Sequence, residues 1–291
     1  MNIKLNVANI NIIIENISSD MVPENFTPFV SDFEETKADI LYRFSDVKQL
    51  SYKAGKQIIK NLRNEIYLNQ NIYTKKSIII NEDGREYFYF TEFVKGEKEI
   101  KIYIPMDRIS KKTFRLYFNN FLMFDYVIGW HNHILMHAAM VEYNNEVILF
   151  TGASGTGKST QSDNWNKYMK AKIVNGDRAV LDVSDSTIKT YGSPYAGSSG
   201  IYINKGYKVR AIVFLSQEKE NKIRKLDKTE AYKALFPRFS IVRWDKKAAE
   251  YFLSAIMKVI DNVSVYHLGC RPDREAVELT YNEIYTDSDI R

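Results

Sequence analysis

The fold of this 291-residue chain is decided by one stretch, Val147-Ile-Leu-Phe-Thr-Gly-Ala-Ser-Gly-Thr-Gly-Lys-Ser-Thr160. The apolar and β-branched residues 147–151 predict a buried strand, and residues 158–170 predict a helix. Between them, the spacing Gly-x-x-x-x-Gly-Lys-Ser matches the phosphate-binding P-loop, in which glycines let the backbone wrap around an anion. The amino end of the following helix adds positive potential. The sequence therefore predicts an α/β fold built around a nucleotide.

The loop also predicts roles for individual residues. Lys158 is expected to reach the β- and γ-phosphates, and the Ser159 hydroxyl is expected to ligate Mg²⁺. The predicted cofactors are ATP and Mg²⁺, with GTP left open as the donor. The predicted nucleotide-binding residues are Gly152, Ser154, Gly155, Thr156, Gly157, Lys158, Ser159 and Thr160.

Composition excludes several classes of protein. Hydrophobic residues make up 45% and charged residues 26%, as in ordinary globular proteins, and the net charge is +5. Acidic and basic residues alternate in 218–225, so we expect no nucleic-acid partner. The longest uncharged stretch, 126–141, contains polar residues and is too short to span a membrane. The single cysteine, Cys270, is expected to be a buried structural thiol in a cytoplasmic protein.

The pattern divides the chain into a smaller β-rich (α+β) domain over 1–125 and a P-loop domain over 126–291. In the first domain, alternation predicts strands within 3–17, and turn signals such as Asn81-Glu-Asp-Gly84 predict a meander over 66–104. Residues 113–130 have the spacing of an amphipathic helix. In the second domain we predict strands over 134–141, 147–151, 171–174, 179–183, 210–215 and 263–268, and helices over 158–170, 228–235 and 246–259.

Phosphoryl transfer also needs a group that orients or deprotonates the acceptor, an acid near the metal and cations on the developing charge. Asp177 follows an apolar strand and a glycine, a position that a parallel sheet would bring beside the P-loop. We interpret it as a metal ligand, a catalytic base or both, although Asn-Gly before it is also typical of an ordinary turn. Arg178 is adjacent and is the arginine with a positional argument for stabilising phosphate charge.

Two further features are ambiguous from the residues alone. His137 lies in an apolar strand and could be a core residue or a functional one; together with His131 and His133 it lacks the other ligands of a zinc site. The turn-rich loop 192–200 could be an ordinary surface loop or could hold the acceptor, in which case the candidate residues are Pro194, Tyr195 and Gly197.

The stretch Leu135-Met-His137-Ala-Ala, followed at a fixed distance by the P-loop, resembles the HPr serine kinase/phosphorylase family. The run Ser154-Gly-Thr-Gly-Lys158 is similar to the P-loop of phosphoenolpyruvate carboxykinases. Residues 191–215 resemble an uncharacterised HPr-kinase-like branch found with peptide-modification genes. The resemblance covers about residues 130–275.

This resemblance implies an ATP-dependent kinase that phosphorylates a serine of a small protein or precursor peptide. It implies that Asp177, His137, Lys158 and Arg178 are catalytic, that His137 lies near the γ-phosphate, and that Ser159 and Asp177 hold the metal. The family has two consecutive acids where this chain has Gly176, Asp177 and Arg178, and the spacing does not decide which acid Asp177 matches. Residues 1–125 do not match the family's regulatory domain, so HPr is not expected as the substrate.

Other functions remain open on the sequence. A small-molecule kinase would use the same site, and a nucleotide-sensing module would keep binding without catalysis. A carboxykinase reaction would need metal ligands and an arginine cluster that we do not find. The chain can also form an oligomer, which the sequence does not decide.

Overall fold

The computed structural model describes residues 2–51, 55–62 and 64–286 and divides the chain into two compact units, Met1–Trp130 and His131–Arg291. The division falls a little later than the boundary that the sequence predicts after residue 125. Its position follows from packing, because the rings of Tyr126 and Trp130 lie 5.6 and 6.0 Å from the ring of Phe93 in the first unit. The described residues form a mixed α/β structure with two multistranded sheets.

Within its described residues, the first unit holds one sheet of eight strands, in the order β1-β2-β3-β8-β7-β6-β5-β4. The predicted meander is confirmed, since β5 to β8 pair antiparallel with their neighbours in sequence. At the predicted turn, Gly84 has a φ of +80° and its N–H donates to the Asn81 carbonyl at 2.9 Å. The strands are β1 (Ile3–Val7), β2 (Ile10–Glu15), β3 (Ile40–Asp46), β4 (Lys56–Lys60), β5 (Asn64–Asn69), β6 (Ile72–Ile80), β7 (Glu86–Val94) and β8 (Glu99–Ile104).

The helical region that follows is interrupted, so the prediction of one continuous helix over 113–130 is wrong. Helix α1 (Lys111–Leu122) begins where the Ser110 hydroxyl accepts the N–H of Thr113. It ends at Met123, whose φ of +43° breaks the helical path before the short α2 (Phe124–Val127). The break lets the apolar residues on both sides of it be buried: Phe121, Leu122, Phe124 and Tyr126.

The second unit carries the predicted strand–loop–helix unit, with β10 (Glu146–Thr151) followed by α3 (Lys158–Met169). The predicted helices and strands are present with shifted ends. The structure adds β13, β15 and α6, which the sequence did not indicate. The remaining elements are β9 (His133–Tyr143), β11 (Lys172–Asn175), β12 (Arg178–Asp182), β13 (Lys189–Tyr191), β14 (Gly206–Gln217), β15 (Lys222–Lys225), α4 (Lys228–Leu235), α5 (Lys246–Asn262), β16 (Ser264–Cys270) and α6 (Arg274–Tyr281).

The sheet of this unit is mixed rather than parallel. β10 is parallel to β14, and β14 is parallel to β16, but β9 runs antiparallel to β10, β11 and β12. The cause is the two-residue turn between β9 and β10, where Asn144 and Asn145 have φ values of +53° and +62° and form a tight hairpin. The strands follow the order β10-β9-β12-β13-β14, and β14 also pairs with β10, which closes this part of the sheet into a ring.

One face of the sheet is covered by α3 and α6. Trp165 of α3 is fully buried against residues of β9, β10, β14 and β16, including Val141, Phe150 and Val213. Cys270 lies in the same core, so the expectation of a buried thiol is confirmed. This packing holds the helix that carries the P-loop at a set position over the strands.

Candidate functional site

The P-loop begins where β10 ends, and its glycines have structural reasons. A methyl group on Gly152 would lie 2.6 Å from the Thr156 hydroxyl and 3.0 Å from the Leu215 carbonyl, so a side chain would collide there. Gly157 has a φ of +100° and precedes the first residue of α3. The loop therefore leads directly into the amino end of α3, an arrangement whose N–H groups and helix dipole favour an anion.

Two cations meet at the base of this loop. Lys158 Nζ lies 3.3 Å from the Ala153 carbonyl and 3.5 Å from the Gly152 carbonyl. Arg238 Nη1 donates to the same Gly152 carbonyl at 3.3 Å. Burial lowers the pKa of Lys158, the nearby Asp177 charge opposes this effect, and the Arg238 charge adds to it. A partly buried pair of like charges favours an anion between or beside them.

No local sequence signal identifies Arg238, because it is 86 residues from Gly152 in the chain. The structure brings it there through a short 3-10 turn, Phe236–Arg238, and the residues after it. Phe239 forms a β-bridge with Met136, and Ser240 N–H donates to the Leu135 carbonyl at 2.9 Å. Arg238 Nε is buried and has no hydrogen-bond partner among the described residues, which leaves a donor for a ligand.

Asp177 reaches the P-loop through β9, and not through the parallel pairing that the sequence analysis assumed. Thr151, at the end of β10, pairs with Ala138 of β9, and Ala138 N–H donates to the Asp177 carbonyl at 3.0 Å. The three residues form a row across the sheet. Two strand spacings separate the ends of this row, so the backbone of Asp177 lies roughly 10 Å from the base of the P-loop.

Asp177 and His137 form a close pair. His137 Nδ1 is 3.0 Å from Asp177 Oδ1 and 3.1 Å from the Asp177 carbonyl oxygen, so this nitrogen carries a hydrogen and donates to an acceptor. Arg178 Nε lies 3.4 Å from the other carboxylate oxygen. The pKa of Asp177 is lowered, most of all by the hydrogen bond from His137 and also by the charges of His137 and Arg178, while partial burial opposes the shift. The carboxylate is therefore ionised at neutral pH.

The backbone around Asp177 is held by Asn175. The Asn175 side-chain oxygen accepts the N–H groups of both Asp177 and Arg178 at 2.9 Å. Its amide nitrogen donates to the Ser193 carbonyl at 2.9 Å, and Asn175 itself is fully buried. The Asn-Gly pair does form a turn, as the alternative interpretation had it, but that turn orients the carboxylate toward His137.

Arg178, Gly197 and Tyr195 are the other predicted residues that the structure connects to this turn. Arg178 pairs with His137 across β9 and β12, and its Nη1 donates to the Ser240 hydroxyl at 3.1 Å. Gly197 lies against Asp177, and Tyr195 N–H donates to the Ser193 hydroxyl in the same loop. Two further arginines pair with acids in other places: Arg210 of β14 lies 3.8 Å from Glu146, the first residue of β10, and Arg271 pairs with Asp273 and Glu275.

The donors near the loop suit a hard cation. Ser159 lies exposed in the first turn of α3, and the half-buried Asp177 supplies a carboxylate, so both offer the oxygen ligands that Mg²⁺ prefers. No three His, Cys, Asp or Glu side chains converge on a point within the described parts of the chain. The remaining ligands of a P-loop metal would come from phosphate oxygens and water.

Comparisons with known proteins give little beyond this geometry. No protein-family model matches the chain, and no curated protein matches it. A solved structure of the HPr(Ser) kinase/phosphatase from Coxiella burnetii is similar over 51% of this chain and 95% of that chain, with 12% identity and a TM-score of 0.31. The similarity to that solved structure does not assign an activity to this chain.

None of the helices in residues 2–51, 55–62 and 64–286 is both long enough and apolar enough to cross a membrane.

Proposed function

We propose that this protein is an ATP- and Mg²⁺-dependent kinase that transfers the γ-phosphoryl group to a hydroxyl. The acceptor is a serine of a small protein or precursor peptide, and the second unit carries the reaction. The observation that carries this proposal is the row Thr151–Ala138–Asp177, because it sets an ionised carboxylate and its histidine two strand spacings, roughly 10 Å, from the base of the P-loop. With one cysteine, which is buried, the chain suits a reducing cytoplasm.

The residues divide the work by charge and position. The loop amides and Lys158 hold the β- and γ-phosphates, and Arg238 and Arg178 face the charge that develops on the transferred group. Ser159 and Asp177 would hold Mg²⁺, which neutralises charge on the phosphate oxygens. His137 fixes the orientation of Asp177 through Nδ1, and it would contact the γ-phosphate of bound ATP.

In the reaction the acceptor oxygen forms a bond to the γ-phosphorus, and the bond from that phosphorus to the β–γ bridging oxygen breaks, which releases ADP. Asp177 orients the acceptor hydroxyl and accepts its proton. Because phosphoryl transfer passes through a loose transition state, positioning and electrostatic stabilisation contribute more than the strength of the base. A carboxylate with a lowered pKa is therefore adequate for this role.

The test is a mass-resolved reaction. Purified protein is incubated with Mg²⁺, γ-labelled ATP and the small proteins or peptides encoded beside its gene. We expect a mass gain of one phosphate on a serine, and we expect Lys158→Ala and Asp177→Asn to abolish it.

Two outcomes would contradict the proposal. ATP binding with transfer to a metabolite and to no peptide would indicate a small-molecule kinase. ATP binding without turnover on peptides or a metabolite pool, together with unchanged cellular function of Asp177→Asn, would indicate a nucleotide-sensing module.

A further inference from the structure

A loop that we call the strap, residues 193–199, lies across the turn that carries Asp177. Ser193, the first residue of the strap, makes two hydrogen bonds to residues around Asp177. The Ser193 carbonyl accepts the side-chain amide of Asn175, and the Ser193 hydroxyl donates to the Arg178 carbonyl, both at 2.9 Å. Ser193 is fully buried, so these bonds form away from water and tie the strap to both sides of Asp177.

The strap approaches this turn too closely for side chains on either surface. A methyl group on Gly176 would lie 2.1 Å from the Ser199 hydroxyl oxygen and 2.4 Å from its β-carbon. Position 176 therefore has no room for a second carboxylate while the strap is in place.

Gly197 is the point at which the strap contacts Asp177 itself. A methyl group on Gly197 would lie 3.0 Å from the β-carbon of Asp177 and 3.1 Å from its carboxyl carbon. Normal carbon–carbon contacts are about 3.5–4.0 Å, so the methyl group would displace the carboxylate by several tenths of an ångström. The displaced carboxylate is the one that accepts the hydrogen bond of His137 at 3.0 Å.

We propose that Gly197 is a positioning residue, whose missing side chain lets the strap rest on Asp177 and hold the carboxylate against His137. The inference deepens the proposed kinase function and rests on it for its effect on catalysis. The strap contacts one side of Asp177, while His137 and Arg178 contact its carboxylate oxygens. The carboxylate is thus fixed from independent directions, as catalytic groups require.

The chain offers a matched control for the test. Gly200 follows the strap directly and has a φ of +61°, close to the +55° of Gly197, so alanine strains the backbone equally at both positions. A methyl group on Gly200 would meet no atom within 4 Å among the described residues. The difference between Gly197→Ala and Gly200→Ala therefore isolates the contact with Asp177 from the strain of the loop.

The first readout is kinetic. We expect Gly197→Ala to lower kcat about 10- to 100-fold with unchanged affinity for a non-hydrolysable ATP analogue, and Gly200→Ala to keep the wild-type kcat. The second readout is the imidazole resonance of His137 in protein labelled at histidine, assigned by its loss in His137→Gln. It should shift in Gly197→Ala toward its position in Asp177→Asn and stay at the wild-type position in Gly200→Ala.

The second readout does not depend on turnover. If the wild-type protein transfers no phosphate, the proposed function fails, and the His137 resonance still decides whether Gly197 positions Asp177. Equal kcat values and equal His137 resonances in the two alanine variants would overturn the inference. If Gly197→Ala does not fold, Ser193→Ala replaces it as the test variant. Ser193→Ala removes the hydrogen bond from the strap to the Arg178 carbonyl, so it should also shift the His137 resonance. An unshifted His137 resonance in Ser193→Ala would overturn the inference.

Discussion

Replacing Asp177 by asparagine separates chemistry from binding and folding. Asparagine keeps the shape of the side chain and an oxygen that accepts from His137 Nδ1, but it has no charge and takes no proton. Loss of a general base lowers kcat by about 10²- to 10⁴-fold. At about 1.4 kcal/mol for each factor of ten, the barrier rises by roughly 3–5 kcal/mol.

The same substitution should barely affect folding. The Asp177 side chain is 26% exposed and contacts His137 at 3.0 Å. Since the oxygen acceptor remains, only the charged part of the hydrogen bond is lost, which costs about 1 kcal/mol. Measured without Mg²⁺, ATP binding should be unchanged or tighter, because a negative charge that acts on Lys158 is removed from beside the phosphates.

The assay measures kcat for phosphate transfer, the Kd of a non-hydrolysable ATP analogue and the urea midpoint. Asp182→Asn is the matched control, because Asp182 ends β12, the strand that starts directly after Asp177, and accepts the N–H of Ser184 at 2.9 Å, outside the site. A kcat in Asp177→Asn within tenfold of wild type would refute the assignment of a base. A loss of ATP affinity as large as the loss of turnover would show instead that Asp177 acts in binding.

Three more outcomes follow from particular contacts. Lys158→Ala should weaken the binding of ATP by about 100-fold or more, roughly 3 kcal/mol, and leave the urea midpoint unchanged. An unchanged ATP affinity in a calorimetric titration would exclude Lys158 as a phosphate ligand. Burial raises the pKa of Cys270, so at pH 8 a thiol reagent should label the native protein slowly and the urea-unfolded protein fast. Rapid labelling of the native protein would contradict the packing of Cys270 beside Gln161. Trp165→Ala should lower the free energy of unfolding, measured by urea titration, by about 3–5 kcal/mol. Trp165→Phe should lower it much less, because phenylalanine keeps most of the buried volume and removes a buried N–H that has no partner among the described residues. Equal losses in the two variants would show that the volume of Trp165 does not matter.

Much of the framework was accessible from local patterns. The strand 147–151, the P-loop and the helix from 158 are consecutive in the chain, so their geometry follows from glycine spacing and from hydrophobic periodicity. The hairpin over 81–84 was predictable for the same reason. The single helix predicted over 113–130 failed at Met123, because burial of apolar residues on both sides of a break outweighed helical continuity.

The sequence by itself determined the succession of strand, glycine-rich loop and helix over 147–169, since these elements depend on neighbouring residues. Only the tertiary structure decided how Asp177 reaches that loop, through an antiparallel strand that the Asn144-Asn145 turn folds back beside β10. It also decided the place of Arg238, which a β-bridge of Phe239 brings to the Gly152 carbonyl. Contacts between residues this far apart in the chain depend on strand pairing and on the closure of the sheet, and local periodicity carries no information about either.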